Sequence, residues 1–510
     1  GCNEQNSHSP SKTTTTESTK ETTTGGTAEG EGPTEDSEDG WQIDPIETDK
    51  IVAAYYYGWY KPWENWLNDC VSEPKLGEYN SRDETVINQH IKWARESGIN
   101  TWVLRWIDSE WEDETVRNYI LDAELSDQID IITIPSKTAF AADPDYEFGD
   151  TLDFDKEANR KRLREVFGYL DDTLFDRPNH VTVNGRPVMV IFEMGVVTGD
   201  YSSAIQEAKA VTSDPPYIIA DLEQFLGSGR VDKSTFEGID AATTYSLHFE
   251  DKIRELDFPQ YTSWLTRQGK LWRLAADNWD LDFVPTVMPG YNNSKVSEAS
   301  DPVVLEPTPK KFSRLIDSQI HNLDPDLNMI FVTTWNEWYE DTSVEPRDDY
   351  GNHFLNLVKE KVAKYQVQPI KPMEDFHQVR LSFNKTVQPD GSDRYLAIYL
   401  TDMIFEGAGG TNIERYDVGI VDKEPHLVEG AYSPEKTPSW GSGRWLGGKT
   451  ERTTIYVPKS VGHPERLTLI VVPIESNTIT IEVFYNGKQT DRRRIGERRP
   501  PTSYTFSLKD

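Results

Sequence analysis

The chain has 510 residues and a formal net charge of -34, from 87 acidic and 53 basic residues. This length favours two or three folded units, each large enough to bury a core. The negative charge repels nucleic acid and anionic lipid, so we expect no nucleic-acid partner. Acidic residues recur within the predicted folded part, for example between Asp108 and Glu114. This pattern indicates a solvated surface suited to molar salt, as in a salt-loving microbe, and an ordinary acidic secreted protein is the alternative.

The amino-terminal region predicts an anchor and a tether. The only cysteines are Cys2 and Cys70, so a disulfide framework is not expected. Gly1 followed by Cys2 resembles the remnant of a cleaved lipobox, and we expect Cys2 to carry a lipid that holds the protein at the extracellular side of the cell membrane. The alternative is a cysteine without a role in anchoring. Residues 1–44, rich in threonine, glycine and acidic residues, are predicted to be disordered.

Residues 45–368 alternate apolar, strand-like runs with segments of helical periodicity. The eight runs are Ile51–Tyr57, Ile99–Trp106, Ile129–Pro135, Pro187–Phe192, Tyr217–Ala220, Ile239–Thr244, Phe283–Val287 and Met329–Trp335. Ser81 and Glu84 are spaced as a capping box for the first helix, which Gly98 would end. Thr308 before Pro309 predicts another helix start. Eight such units predict an α/β fold, a (β/α)8 TIM barrel.

Residues 369–510 change to short strands without helices between them. The predicted strands are Val379–Phe383, Tyr395–Leu400, Tyr416–Val421, Thr453–Val457, Leu467–Val472, Ile479–Phe484 and Tyr504–Leu508. Asn486 and Gly487 form a strong hairpin signal. The pattern predicts a C-terminal β-sandwich. A sandwich that follows a larger domain binds carbohydrate in some proteins and only braces its neighbour in others, and Trp440 and Trp445 are its candidate platform for a sugar.

The end of the eighth run carries the clearest chemical signal. Glu337 and Glu340 lie three residues apart, among Trp335, Asn336 and Trp338. Cleavage of a glycosidic bond needs one carboxyl group that protonates the leaving oxygen and a second that acts on the sugar. Residues three apart on a strand point to opposite faces, so both can reach one sugar only if the chain turns just after the strand. Two exposed acids in an acidic chain are the alternative.

The segment 335–346, WNEWYEDTSVEP, resembles the signature of glycoside hydrolase family 99, the endo-α-mannosidases and endo-α-mannanases. Segments 55–60, 76–90 and 285–291 are similar to the first strand, first loop and helix, and seventh strand of that family. The resemblance covers about residues 51–366 and leaves the sandwich out. It departs from the family at Leu104-Arg105-Trp106 and at 134–137, in loops that contact substrate, so the glycan recognised is not fixed by it.

This resemblance implies a retaining, endo-acting α-glycosidase that works through a 1,2-anhydro sugar. Glu340 would be the general acid and Glu337 the base that deprotonates the 2-hydroxyl of the substrate. Glu340 must then hold its proton near neutrality while Glu337 is ionised. Aromatic residues at strand ends are further candidates for binding sugar faces, together with the neighbours of the glutamates. The substrate-binding candidates are Tyr56, Tyr57, Trp59, Trp106, Tyr245, Tyr291, Trp335, Asn336 and Trp338.

Other classes of function remain open at this stage. A non-catalytic glycan-binding surface lipoprotein is the main alternative, and a structural protein of the cell envelope is a third. The acid and base pair favours the enzyme. His90 is interpreted as a structural residue that braces a loop. We expect no metal and no cofactor, because neither metal-ligand spacing nor a phosphate-binding loop is evident, and we expect a monomer with an oligosaccharide or polysaccharide substrate.

The acidic surface yields a prediction about salt. Lowering the salt concentration from molar to millimolar should destabilise the fold, because self-repulsion among the excess carboxylates is then no longer screened. Thermal melting followed by circular dichroism across this range measures the effect. An unchanged melting temperature would mean that the acidity has another cause.

Overall fold

The computed structural model describes residues 41–106, 109–147, 150–194, 197–222, 237–296, 301–418, 426–474, 478–496 and 500–509. Cys2 and most of the tether predicted over residues 1–44 lie outside these ranges. Within them, no helix is long and apolar enough to cross a membrane.

Nine parallel strand segments form the barrel. They are β1 (Ile51–Tyr56), β2 (Thr101–Trp106), β3 (Asp130–Pro135), β4 (Arg186–Ile191), β5 (Tyr217–Asp221), β6 (Ala241–Thr243), β7 (Asp282–Val284), β8 (Thr286–Val287) and β9 (Met329–Val332). Their order is β7-β6-β5-β4-β3-β2-β1-β9-β8. The predicted seventh run is split at Pro285, so that β7 pairs with β6 and β8 pairs with β9. All eight predicted runs therefore form strands, and the barrel is nearly closed.

Helices surround the barrel. They are α1 (Glu84–Ser97), α2 (Glu110–Thr115), α3 (Glu157–Leu170), α4 (Tyr201–Lys209), α5 (Glu250–Glu255), α6 (Phe258–Asn278), α7 (Pro309–Gln319), α8 (His353–Val358) and α9 (Pro372–Asp375). Thr308 caps α7 as predicted, and Gly98 ends α1 with a left-handed φ of 84°. The capping box predicted for α1 is wrong: Asp83 caps the helix, and the Ser81 hydroxyl instead accepts a hydrogen bond from the Tyr60 amide. Asp83 is the capping residue because it directly precedes the first helical residue, where its side chain accepts a hydrogen bond from the Thr85 amide.

The period of two along β1 separates two layers of core. Ala53, Tyr55 and Tyr57 point into the barrel, whereas Val52, Ala54 and Tyr56 join the apolar layer between strands and helices. Because successive side chains of a strand alternate in direction, neighbours in sequence lie in different environments. This alternation decides which strand-end residues reach the site.

The C-terminal sandwich packs against α6. Its strands are β10 (Phe376–Phe383), β11 (Leu396–Glu406), β12 (Asn412–Asp417), β13 (His426–Glu429), β14 (Glu435–Thr437), β15 (Gly441–Gly447), β16 (Arg452–Pro458), β17 (Arg466–Pro473), β18 (Ile479–Tyr485), β19 (Lys488–Ile495) and β20 (Thr502–Ser507). One sheet has the order β13-β16-β10-β18-β19, the other β14-β15-β11-β17-β20 with β12 on β11. The predicted hairpin at Asn486 and Gly487 joins β18 to β19. Part of the predicted strand Tyr416–Val421 lies outside the described residues. Tyr456 donates to Asp277 at 3.1 Å, which ties the sandwich to the barrel.

Candidate active site

The two glutamates lie on a loop that follows β9 at the carboxyl ends of the barrel strands. The loop still pairs with β1 at its start, where the Trp335 amide donates to the Tyr55 carbonyl at 2.8 Å. It then turns over residues 338–341, and the Thr342 amide donates back to the Glu337 carbonyl at 3.2 Å. The predicted turn after Asn336 is therefore present.

Side chains hold this loop against the first strand. The side chain of Asn336 forms two hydrogen bonds with the backbone of Tyr57. Its Oδ1 atom accepts from the Tyr57 N–H and its Nδ2 atom donates to the Tyr57 carbonyl, each at 2.9 Å. Tyr60 donates to the Asn336 carbonyl at 2.5 Å and accepts from the Trp338 amide at 3.0 Å. The Thr334 hydroxyl accepts from the Glu337 amide at 2.8 Å. Asn336 and Trp338 are fully buried, so they act in the structure through these internal bonds.

A third carboxylate, Glu345, anchors the far end of the loop. Its buried Oε2 atom accepts hydrogen bonds from Tyr79 at 3.0 Å and from the Trp338 indole at 2.9 Å. The Nε2 atom of His90 lies 3.0 Å from the other oxygen. Nδ1 of His90 lies 3.1 Å from the Tyr56 hydroxyl. The structural role predicted for His90 is thus observed: it connects α1 to the loop.

Glu337 and Glu340 are both buried, and the charge of Glu340 acts on Glu337. Glu337 is 2% exposed and Glu340 is 9% exposed, which excludes two ordinary surface acids. Burial raises the pKa of Glu337 well above its ordinary value, and the charge of Glu340 raises it further. The Tyr339 amide, which donates to Glu337 at 3.0 Å, and the charge of Arg105 oppose this rise. The two carboxyl groups are therefore close enough for the charge of Glu340 to act on Glu337.

Aromatic hydroxyls and rings line the same region. The hydroxyls of Tyr57 and Tyr245 are 2.5 Å apart, and charges from both glutamates act on the two groups. Trp59 stacks on Tyr57 with ring centres 4.4 Å apart, and its buried indole N–H has no hydrogen-bond partner among the described residues. Tyr291 donates to Glu340 at 3.3 Å. The structure thus brings Tyr57, Trp59, Tyr245 and Tyr291 to the glutamates.

Three other predicted residues are placed elsewhere. Tyr56 joins the His90 contact, Trp335 packs edge-on against Trp102 at 4.8 Å, and Trp106 stacks on Tyr169 at 5.4 Å. All three belong to the apolar layer between barrel and helices. Strand alternation is the reason for Tyr56 and Trp106, because each neighbours a residue that points inward. The expectation that they line the substrate site is therefore corrected.

Arg105 is the site residue that the sequence interpretation did not include. Its guanidinium lies 4.6 Å from the centre of the Trp59 ring and 2.7 Å from the carboxylate of Glu112. Glu112 itself is buried in α2, so the ion pair holds Arg105 at the end of β2. A charged residue inside the apolar run Leu104-Arg105-Trp106 was the available signal, because alternation directs it toward the barrel axis.

The fold and site together define a parallel α/β barrel with an acidic site at the carboxyl ends of its strands, and comparisons with known proteins agree. A family model described as Glycosyltransferase WbsX matches residues 150–358. The glycoprotein endo-alpha-1,2-mannosidase of Mus musculus is 23% identical over 328 residues, 61% of this chain and 64% of that protein. The match thus spans less than two thirds of the mouse protein.

One solved structure shares the barrel fold. A glycoside hydrolase-like protein superposes with a TM-score of 0.51 at 18% identity, over 65% of this chain and 98% of that chain. The GH99 endo-alpha-mannosidase from Bacteroides thetaiotaomicron gives a TM-score of 0.47 at 19% identity, over 62% and 97% of the two chains. The chain is therefore similar to endo-α-mannosidases in sequence, and the first superposition shows a barrel shared with a glycoside hydrolase-like protein.

Replacing Arg105 tests the electrostatics of the pair. Arg105→Gln removes a positive charge that favours the ionised form of Glu337, so the pKa of Glu337 should rise further. If Glu337 must be ionised for activity, the acid limb of the pH profile of kcat/KM should move to higher pH. The same change at Arg254, a residue of α5 far along the chain, serves as the control and should leave the limb in place. An acid limb that stays fixed in Arg105→Gln would mean that Glu337 does not control it.

Proposed function

We propose that the protein is a retaining, endo-acting α-glycosidase that hydrolyses glycans or polysaccharides. The observation that carries this proposal is the pair of buried, electrostatically coupled carboxyl groups, Glu337 and Glu340, on one turn at the end of the barrel. A protein that only binds glycans needs no such pair, because burying two carboxyl groups side by side costs free energy. The similarity to endo-α-mannosidases supports the same class.

In the proposed mechanism Glu340 is the general acid and Glu337 the general base. Glu337 removes the proton of the substrate's 2-hydroxyl, and that oxygen attacks the anomeric carbon to form a 1,2-anhydro sugar. Glu340 protonates the departing glycosidic oxygen at the same time. Water then opens the anhydro sugar, giving its proton to Glu340, while Glu337 returns a proton to the 2-oxygen. Two displacements at one carbon retain its configuration.

The observed environment of Glu337 supports the base role. A carboxylate whose pKa is raised binds a proton more strongly, and it is therefore a better base for a hydroxyl once it is ionised. Above this raised pKa the base is ionised, and below it activity should fall. From the sequence we expected the raised pKa at Glu340, whereas in the structure burial raises the pKa of Glu337.

The neighbouring aromatic residues support saccharide binding. Tyr57, Trp59, Tyr245 and Tyr291 place aromatic rings and hydroxyl groups around the glutamates. An α-mannoside is the first substrate to test, since the mouse relative is named an endo-alpha-1,2-mannosidase. The lipid anchor at Cys2 and a location at the cell surface remain part of the proposal.

The name of the matching family model favours a second candidate function, glycosyl transfer. A glycosyltransferase would pass the sugar to an acceptor hydroxyl instead of water. Product mass analysis after incubation with an α-mannan distinguishes the two: hydrolysis shortens the chains and leaves new reducing ends, whereas transfer elongates an added acceptor.

Substitution of each glutamate tests the assignment of roles. Glu340→Gln should abolish cleavage of α-mannan but spare an α-mannobioside with a dinitrophenyl leaving group, which departs without protonation. Glu337→Gln should slow both substrates by roughly 10² to 10⁴-fold, because the 2-hydroxyl then has no base. Initial rates of sugar and dinitrophenol release measure the two effects.

Glu360→Gln provides the matched control, because Glu360 is exposed near the end of α8 and should leave both rates unchanged. Glu337→Gln activity equal to that of the unaltered protein would contradict the base role. Cleavage of a 2-deoxy substrate as fast as its parent, or a covalent sugar adduct on either glutamate, would replace the anhydro sugar with an ordinary double displacement.

A further inference from the structure

The outer face of one sandwich sheet concentrates positive charge. Strand register places four arginines on it: Arg380 of β10 lies opposite Phe484, Arg452 opposite Ser382, Arg492 opposite Glu482 and Arg494 opposite Thr480. Residues directly opposite each other on paired strands share a face. The residues that alternate with them, including Val379, Leu381, Ile481 and Val483, fill the sandwich core. We call Arg380, Arg452, Arg492 and Arg494 the arginine face.

Within the described residues, two carboxylates face these four guanidinium groups. Glu482 lies 3.3 Å from Arg492. Glu429, which is buried, is 3.9 Å from Arg452 but already accepts hydrogen bonds from Thr450, Thr454 and Asn278. The face therefore keeps an excess of positive charge, although the whole chain carries a net charge of -34.

Arg380 is the one arginine of this face that is partly buried and not exposed. It is partly buried, its guanidinium lies 4.3 Å from the centre of the Phe484 ring, and its Nε atom has no hydrogen-bond partner in the described part of the chain. No carboxylate of the described residues forms an ion pair with it. Burial lowers the pKa of this guanidinium and the nearby charge of Arg452 lowers it further, whereas the charge of Glu429 opposes this fall in part. Such an arrangement costs free energy unless an anion compensates for it.

We propose that the arginine face binds an anionic polysaccharide, one that carries carboxylate or sulfate groups. Arg380 and Arg452 pair with an acidic group, while Phe484 and the hydroxyls of Ser382 and Thr480 lie between the arginines, where they can contact sugar rings. The spacing of the arginines over several strands suits charges repeated along a chain. The face lies beside the contact between sandwich and α6, so a bound polymer would stay attached to the catalytic unit.

A polysaccharide fits the observations better than nucleic acid or an anionic membrane. The face is small and the remainder of the molecule is acidic, so double-stranded DNA, with one charge per about 1.7 Å, or an extended anionic surface would be repelled around it more strongly than a polysaccharide with one charge per sugar. The platform predicted from Trp440 and Trp445 offers less to a sugar: Trp445 is 9% exposed, its indole donates to Glu435 at 2.8 Å, and Trp440 packs on Tyr399. The arginine face is therefore the better candidate on the sandwich.

Affinity electrophoresis of the full chain in gels containing polygalacturonate tests this proposal. The protein should be retarded by polygalacturonate but not by neutral dextran, and the retardation should weaken as salt rises. The double variant Arg380→Gln, Arg452→Gln should bind polygalacturonate roughly ten-fold more weakly, since two charge-assisted contacts are lost. The Glu337→Gln variant should bind as well as the unaltered protein, so the result does not depend on the proposed hydrolysis.

The control is the double variant Arg254→Gln, Arg415→Gln, which removes the same charge from α5 and from the other sheet and should bind within about two-fold of the unaltered protein. If circular dichroism shows that the first variant is unfolded, Arg492→Gln with Arg494→Gln on the exposed edge strand β19 replaces it. Equal weakening by the control, no retardation by polygalacturonate, or retention only by phosphatidylglycerol vesicles or single-stranded DNA would overturn the proposal.

Discussion

The site depends on one buried carboxylate. Glu345 joins α1, the first loop and the turn that bears the glutamate pair, because its partners His90, Tyr79 and Trp338 come from those three segments. Leaving this buried carboxyl group without hydrogen-bond partners would cost roughly 1–3 kcal/mol or more. His90, Tyr79 and Trp338 can contact Glu345 only if the loop after β9 folds back toward the barrel. The same turn carries Glu337 and Glu340.

A second constraint follows from the position of the pair. Glu337 is buried beside Glu340, so its proton is held tightly, and Arg105 opposes that effect from the end of β2. Arg105 in turn is fixed by Glu112 and by the ring of Trp59. The ionisation of the proposed base is thus set by groups from three different barrel units. The proton affinity of Glu337 therefore depends on residues outside the short motif that contains it.

The sequence predicted the periodic parts of the molecule well. All eight barrel runs form strands, since long apolar runs with helical segments between them leave few alternatives. The direction of single side chains was harder to predict: Tyr56 and Trp106 were assigned to the site and lie in the outer layer, whereas Arg105 was not assigned and points inward. Strand alternation decides each case, but a strand end shifted by one residue reverses it. The role of Glu345 depends on contacts between residues more than 250 positions apart.

The configuration of the first product tests the account most directly. Proton NMR during digestion of an α-mannan by the full chain in molar salt follows the newly formed reducing ends before they mutarotate. If Glu337 activates the 2-hydroxyl, the α-anomer appears first and the β-anomer only later, because two successive displacements occur at the anomeric carbon. Initial appearance of the β-anomer would show a single displacement by water and would contradict the assignment of Glu337 as the base that activates the 2-hydroxyl.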